Sequence, residues 1–133
     1  MSYIVYENQV EAKELPGRSL KWLFTPEMNQ AAGFTFNVVT IKPGNTVKPA
    51  HSHKHNEELV YIVSGSGKAF IDGKVYDIEP GAAILFSPGS IHMLRNSGES
   101  DMKVACFFTP PATLTRSAAL PVKSTSNLKF DPV

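Results

Sequence analysis

The sequence predicts an all-β protein, an antiparallel sandwich or closed barrel, and three observations carry that reading. Turn signals recur about every eight to ten residues between Pro43-Gly44 and Ser97-Gly98, the spacing of short strands joined by tight loops. The segments between them either alternate apolar with polar residues or form brief runs rich in Val, Ile, Phe and Tyr. No amphipathic helix of useful length fits into that span, and ten prolines and nine glycines, spread along the whole chain, favour many short elements.

Taken in order, Leu20, Trp22 and Phe24 alternate with Lys21 and Leu23, a short strand that stops at Thr25-Pro26. Phe34, Phe36 and Val38 alternate with Thr35, Asn37 and Val39, and Pro43-Gly44 turns the chain. Glu58 to Val63 is a compact strand, broken by Ser64-Gly65-Ser66-Gly67. Lys68 to Ile71 and Lys74 to Ile78 flank Asp72-Gly73, one of the strongest two-residue hairpin signals. Ala82 to Phe86, Ile91 to Arg95 and Met102 to Thr109 follow, separated by Ser87-Pro88-Gly89-Ser90 and Asn96-Ser97-Gly98-Glu99.

With 133 residues the chain has room for one core. Residues 1–111 read as a single barrel domain with an N-terminal strand arm, and residues 112–133, rich in Ser, Thr, Pro and Ala, as an extended C-terminal tail. The net charge of +1 gives no electrostatic footprint for nucleic acid or an anionic membrane. No run approaches the ~20 apolar residues of a membrane span. Cys106 is the sole cysteine, so an internal disulfide is excluded and a reducing compartment is favoured. The start, Met-Ser-Tyr-Ile-Val-Tyr-Glu, lacks the basic and apolar regions of a signal peptide, and the expected location is cytoplasmic.

Chemistry concentrates in the histidines. Three of the four lie in His51-Ser52-His53-Lys54-His55. In an extended strand, residues two apart share a face, so His51 and His53 can aim at one point. Glu58 follows after a stretch long enough to turn the chain, with Val60 and Ile62 on its face. His92, after Ser-Pro-Gly-Ser, can join them if the barrel brings residues 51–58 beside 91–96. A triplet of His53, His55 and Glu58 is the competing register; otherwise His55 lies at the mouth of the site. Glu57, of opposite parity, reads as a solvated turn residue.

Gly44…His51-x-His53-x4-Glu58-x6-Gly65 resembles the first motif of the cupin family, and Gly81-x5-Ser87-x-Gly89-x2-His92-x3-Asn96 its second. Two departures are visible. Six residues, not five, separate Gly44 from His51, and Ser87 stands where the family usually has proline, with Pro88 beside it. Neither touches a proposed ligand. The resemblance implies a double-stranded β-helix, or jelly-roll, barrel with extended N- and C-terminal arms. It implies a divalent metal ion (Fe, Mn, Ni or Zn) held by His51, His53, Glu58 and His92.

The surrounding residues have blander readings. Asn96 shares the parity of His92 and is expected to close the strand end, not to ligate. Met93 and Arg95 should point away. Ile84 and Phe86 read as plain core, and Cys106, in Val-Ala-Cys-Phe-Phe, as a buried inert thiol. Trp22, Phe34, Phe36 and Tyr61 can wall an apolar pocket, although aromatics at strand spacing more often simply pack.

Four protein ligands leave up to two positions on an octahedral ion. The expectation is therefore a metal-dependent enzyme (oxygenase, isomerase or lyase type) acting on a small oxygenated organic molecule or sugar derivative, with no general base identified. The alternative is a non-catalytic binding or sensing module. The expected partners are a small molecule and a second copy of the chain, because small barrels expose a sheet edge that needs cover.

Overall fold

The computed structural model describes residues 3–47, 51–52, 55–111 and 120–121, with backbone alone at 51–52 and 120–121. Eleven strands are described: β1 (Lys13–Leu15), β2 (Arg18–Phe24), β3 (Thr35–Ile41), β4 (His51–Ser52), β5 (Glu57–Ser64), β6 (Gly67–Ile71), β7 (Lys74–Ile78), β8 (Ala83–Phe86), β9 (His92–Asn96), β10 (Met102–Thr109) and β11 (Leu120–Pro121). The fold is the all-β jelly roll that the turn spacing and the two motifs imply. Among the described residues helix is confined to a three-residue turn at Glu7–Gln9 and α1 (Pro26–Asn29). Thr25 ends β2 by capping α1, its hydroxyl accepting from the Met28 N–H at 3.0 Å.

The strands form two antiparallel sheets. One runs β1-β2-β3-β10-β5-β8 and the other β11-β4-β9-β6-β7. The β11–β4 pair sets Leu120 and Pro121 against Ser52 and His51; residues 112–119 and 122–133 of the expected tail lie outside the described residues. The main core joins the sheets, with Val39, Ile62 and Val104 from the first meeting Ala69, Ile78 and Leu94 from the second. Burial alternates cleanly along β5 and β10: Glu58, Val60 and Ile62, then Met102, Val104, Cys106 and Phe108, face inward. Register is thereby fixed, since a one-residue slip would turn these residues to solvent.

Two local devices shape the end of the barrel where the motif residues gather. Asp72 (φ 47°) and Gly73 (φ 89°) make the tight β6–β7 turn with both central residues left-handed, as the dipeptide predicts. Asp72 also clasps the loop before β9: its N–H donates to Ile91 O at 2.9 Å and its carboxylate accepts from Ile91 N at 2.8 Å. Gly17 (φ 77°) sits where a Cβ would come within 2.0 Å of the Thr46 carbonyl oxygen. Only glycine lets the β1–β2 hairpin approach that closely.

The aromatic pocket suggested by strand spacing divides between two faces. Trp22 is in the core, whereas Phe34 and Tyr61 are exposed on the outer face of the six-stranded sheet, and Phe36 packs there against Phe107 at a 4.5 Å ring separation. Parity is the reason: Thr35, Asn37 and Val39 take the inward positions of β3.

Candidate metal centre

Glu58 and His92 come from opposite sheets and converge in the interior. Glu58, on β5, is 8% exposed, and His92, the first residue of β9, is 3% exposed. Their Oε1 and Nε2 atoms are 3.3 Å apart. Asn56, just ahead of β5, fixes the approach by donating from Nδ2 to Pro110 O, tying the strand start to the end of β10.

The imidazole is held on two sides. Nδ1 lies 3.2 Å from Ser90 O, and since a carbonyl only accepts, Nδ1 carries the proton. Phe86 stacks on the ring at a 3.8 Å centroid distance and 6° from parallel. Phe86 is also the cross-strand partner of Glu58. The residue expected to be plain core is thus also the wall against which both polar groups are set. Behind His92, the Ser90 N–H donates to Ser87 O at 3.0 Å, so the Ser-Pro-Gly-Ser loop is a true turn.

These two groups fit a divalent ion. A carboxylate oxygen and an imidazole Nε2 lone pair facing each other repel unless a cation stands between them, either a proton or a metal. Their separation is what two ligands bonded at about 2.0–2.1 Å span on a tetrahedral centre. A histidine whose other nitrogen donates to a carbonyl is oriented as metal-binding histidines are.

The remaining expected ligands are placed less fully. His51 is the direct backbone partner of His92 in the β4–β9 ladder, so residues 51 and 92 are neighbours as the motif spacing requires. His53 lies outside the described residues. His55 is exposed, and Glu57 is on the solvent side of β5. Among the described residues no group of three or more His, Cys, Asp or Glu side chains gathers to hold an ion. Asn96 is fully buried: Nδ2 donates to Ile41 O and Ser100 O, each at 2.8 Å, and Oδ1 accepts from the Gly98 N–H. It closes the strand end, as expected. Met93 packs in a separate cluster with Phe70, and Arg95 donates to Thr46 Oγ1.

Two site residues lie outside the two motifs. Cys106 hydrogen-bonds the Glu58 side chain, and burial, reinforced by that carboxylate, pushes its thiol well above the ordinary range. It is a protonated thiol beside the centre. Arg18 shares the inner parity of β2 with Leu20 and Trp22. Burial lowers its pKa, an effect that the Glu58 carboxylate partly offsets. The inward parity of β2 was the only sequence signal for Arg18, since its partners come from strands far along the chain.

The profile of the cupin domain matches residues 37–108, more than half of the chain. The chain belongs to the cupin domain family. Within it, a stretch of 83 residues is 39% identical to an L-ectoine synthase of Saccharophagus degradans, covering 61% of this chain and 60% of that protein. This cupin thus spans less than two thirds of the length of that relative. Among solved structures, ectoine synthase from P. lautus superposes with a TM-score of 0.76 at 22% identity, over 91% of this chain and 90% of its own. A predicted oxalate decarboxylase from Thermotoga maritima gives 0.73 at 20% identity, over 80% and 98%. Both structural likenesses show the fold. Among the described residues no helix of this cupin is long and apolar enough to cross a membrane.

Proposed function

We propose that this cupin is a metal-dependent enzyme, of the oxygenase, isomerase or lyase type, that acts on a small oxygenated organic molecule. The observation that carries the reading is the convergence of Glu58 and His92 at 3.3 Å in the apolar interior, with His51 opposite His92 on the neighbouring strand. In this reading His51, His53, Glu58 and His92 hold the ion. A divalent ion bound there supplies Lewis acidity toward a substrate oxygen. Glu58 is held by Cys106, and His92 is held by Ser90 and Phe86, so neither needs to reorganise when substrate arrives. Identity to L-ectoine synthase supports an enzyme over a passive container. A cytoplasmic location belongs to the same reading and rests on the single free thiol.

The test is elemental analysis of the purified chain, followed by turnover assays on small hydroxy and keto acids under air and under argon. About one divalent ion per chain together with turnover supports the proposal, and the comparison of air with argon separates an oxygenase from an isomerase or lyase. Tightly held metal without turnover overturns it in favour of a binding module.

The outer face of the six-stranded sheet supports a homodimer. Leu59 pairs across strands with both Leu85 and Phe107, and the three are 48%, 54% and 41% exposed. A contiguous apolar sheet face of this kind is what a twofold interface covers.

A further inference from the structure

A second set of polar groups lies on the inner face, one strand beyond Cys106. Asn37 is the cross-strand partner of both Cys106 and Trp22, so Trp22, Asn37 and Cys106 form one row across β2, β3 and β10. Cys106 in turn hydrogen-bonds Glu58. The row therefore runs from the candidate metal centre across β3 to β2, next to the edge strand β1.

Asn37 is 1% exposed, yet neither its Oδ1 nor its Nδ2 has a hydrogen-bond partner among the described residues, and the Trp22 Nε1–H is equally unmatched. Buried polar groups in folded proteins are nearly always paired, because leaving one unmatched forfeits its hydration without return. Asn96 shows the contrast in this same protein: equally buried, it uses both ends of its amide. An amide and an indole N–H thus stand unmatched in an apolar wall, in the row that leads to Cys106.

Their chemistry narrows the ligand. Trp22 offers one donor, and Asn37 offers donors at Nδ2 and an acceptor at Oδ1. Arg18, on the same face of β2, adds a partly buried cation whose Nη1 is engaged with Pro16 O. Donors beside a cation suit a carboxylate, and the one acceptor suits a neighbouring hydroxyl.

We propose that Trp22 and Asn37, assisted by Arg18, form a recognition wall that binds the carboxylate and adjacent hydroxyl of a small hydroxy acid beside the metal centre. This rests on the enzyme reading above and names its substrate class.

The probe is lactate, with its neutral amide, lactamide, as the comparison, titrated into the metal-loaded chain by calorimetry. Asn37→Leu preserves volume and removes the amide. Because no protein partner is lost, its melting temperature should equal or exceed that of the unaltered chain, and its metal content should not change. Its affinity for lactate should fall about tenfold or more, the scale for a bond to a charged group. Trp22→Phe and Arg18→Gln should each erode the preference for lactate over lactamide, a ratio that general loosening of the fold does not move. A lowered melting temperature in Asn37→Leu shows that the amide serves the fold and overturns the proposal. So does lactate binding that is absent in the unaltered chain or unchanged in the variants. If the unaltered chain binds no metal, the enzyme reading fails separately, while the melting temperature of the metal-free Asn37→Leu chain still reports whether the fold needs that amide.

Discussion

Phe86 lies flat against His92, 3.8 Å between ring centres and 6° from parallel, while its own backbone pairs with Glu58. One residue thereby links both polar groups of the candidate centre, its ring to His92 and its backbone to Glu58. It belongs to the sheet of Glu58 and fixes the ring of the opposite sheet. Phe86→Ala should cost about 3–5 kcal/mol in stability, the range for emptying a buried aromatic site. Phe86→Leu should fold with a smaller loss, yet hold metal less tightly, because the imidazole loses its flat support. Denaturant unfolding and metal content at graded chelator concentration measure the two effects.

The histidines can be sorted by metal content per chain. His92→Ala should fall from about one ion to nearly none, and should also lose the extra thermal stability that metal confers. That increment is about 2.7 kcal/mol when free metal stands at a hundred times its dissociation constant. His55→Ala, altering an exposed residue, should keep full occupancy. His51→Ala decides between the two registers: it empties the site if His51, His53, Glu58 and His92 are the ligands. It leaves the site filled if His53, His55 and Glu58 are.

Cys106 should resist modification. Its pKa is raised by burial first and by Glu58 second, so the thiol stays protonated where a free thiol ionises, above about 8.5. Thiol reagents should label it only after unfolding. The sign of the pH effect follows. Above about 8.5 the unfolded chain releases a proton that the native chain retains, so stability declines as pH rises, by at most about 1.4 kcal/mol per unit. Cys106→Ala should abolish that slope, which urea unfolding at a series of pH values reads directly.

The outer sheet face gives a prediction about assembly. Light scattering should return twice the 14.5 kDa chain mass. Leu59→Glu or Leu85→Glu should return the single mass with the fold intact, since both side chains are about half exposed. A single mass for the unaltered chain at micromolar concentration, unchanged on dilution, contradicts the interface.

Much of this is legible in the sequence alone. Period-two alternation located the strands, and turn dipeptides marked their ends. The Glu58-Val60-Ile62 face followed from parity alone, because β5 must bury one side. What stayed hidden depends on partners distant in sequence. Nothing local to Arg18 says that Glu58 acts on its charge, and nothing local to Cys106 says that the same carboxylate is its acceptor. Asn37 was one polar residue in an alternating strand, and only the opposite parity of Phe34 and Phe36 reveals that it points inward. The Phe86–His92 stack joins residues of different sheets, a contact that periodicity within one strand does not encode.

The β6–β7 turn has a use beyond reversing the chain. Asp72 accepts from Ile91 and donates back to it, immediately before His92. The side chain that makes Asp-Gly a good hairpin dipeptide is therefore also a strut for the histidine. Position 72 answers to two demands at once, and a designer who grafts a loop onto this hairpin inherits both. Gly-Gly there would satisfy the bend while releasing the strut, so an apparently harmless loop graft would be felt some twenty residues downstream, at the histidine rather than in the hairpin.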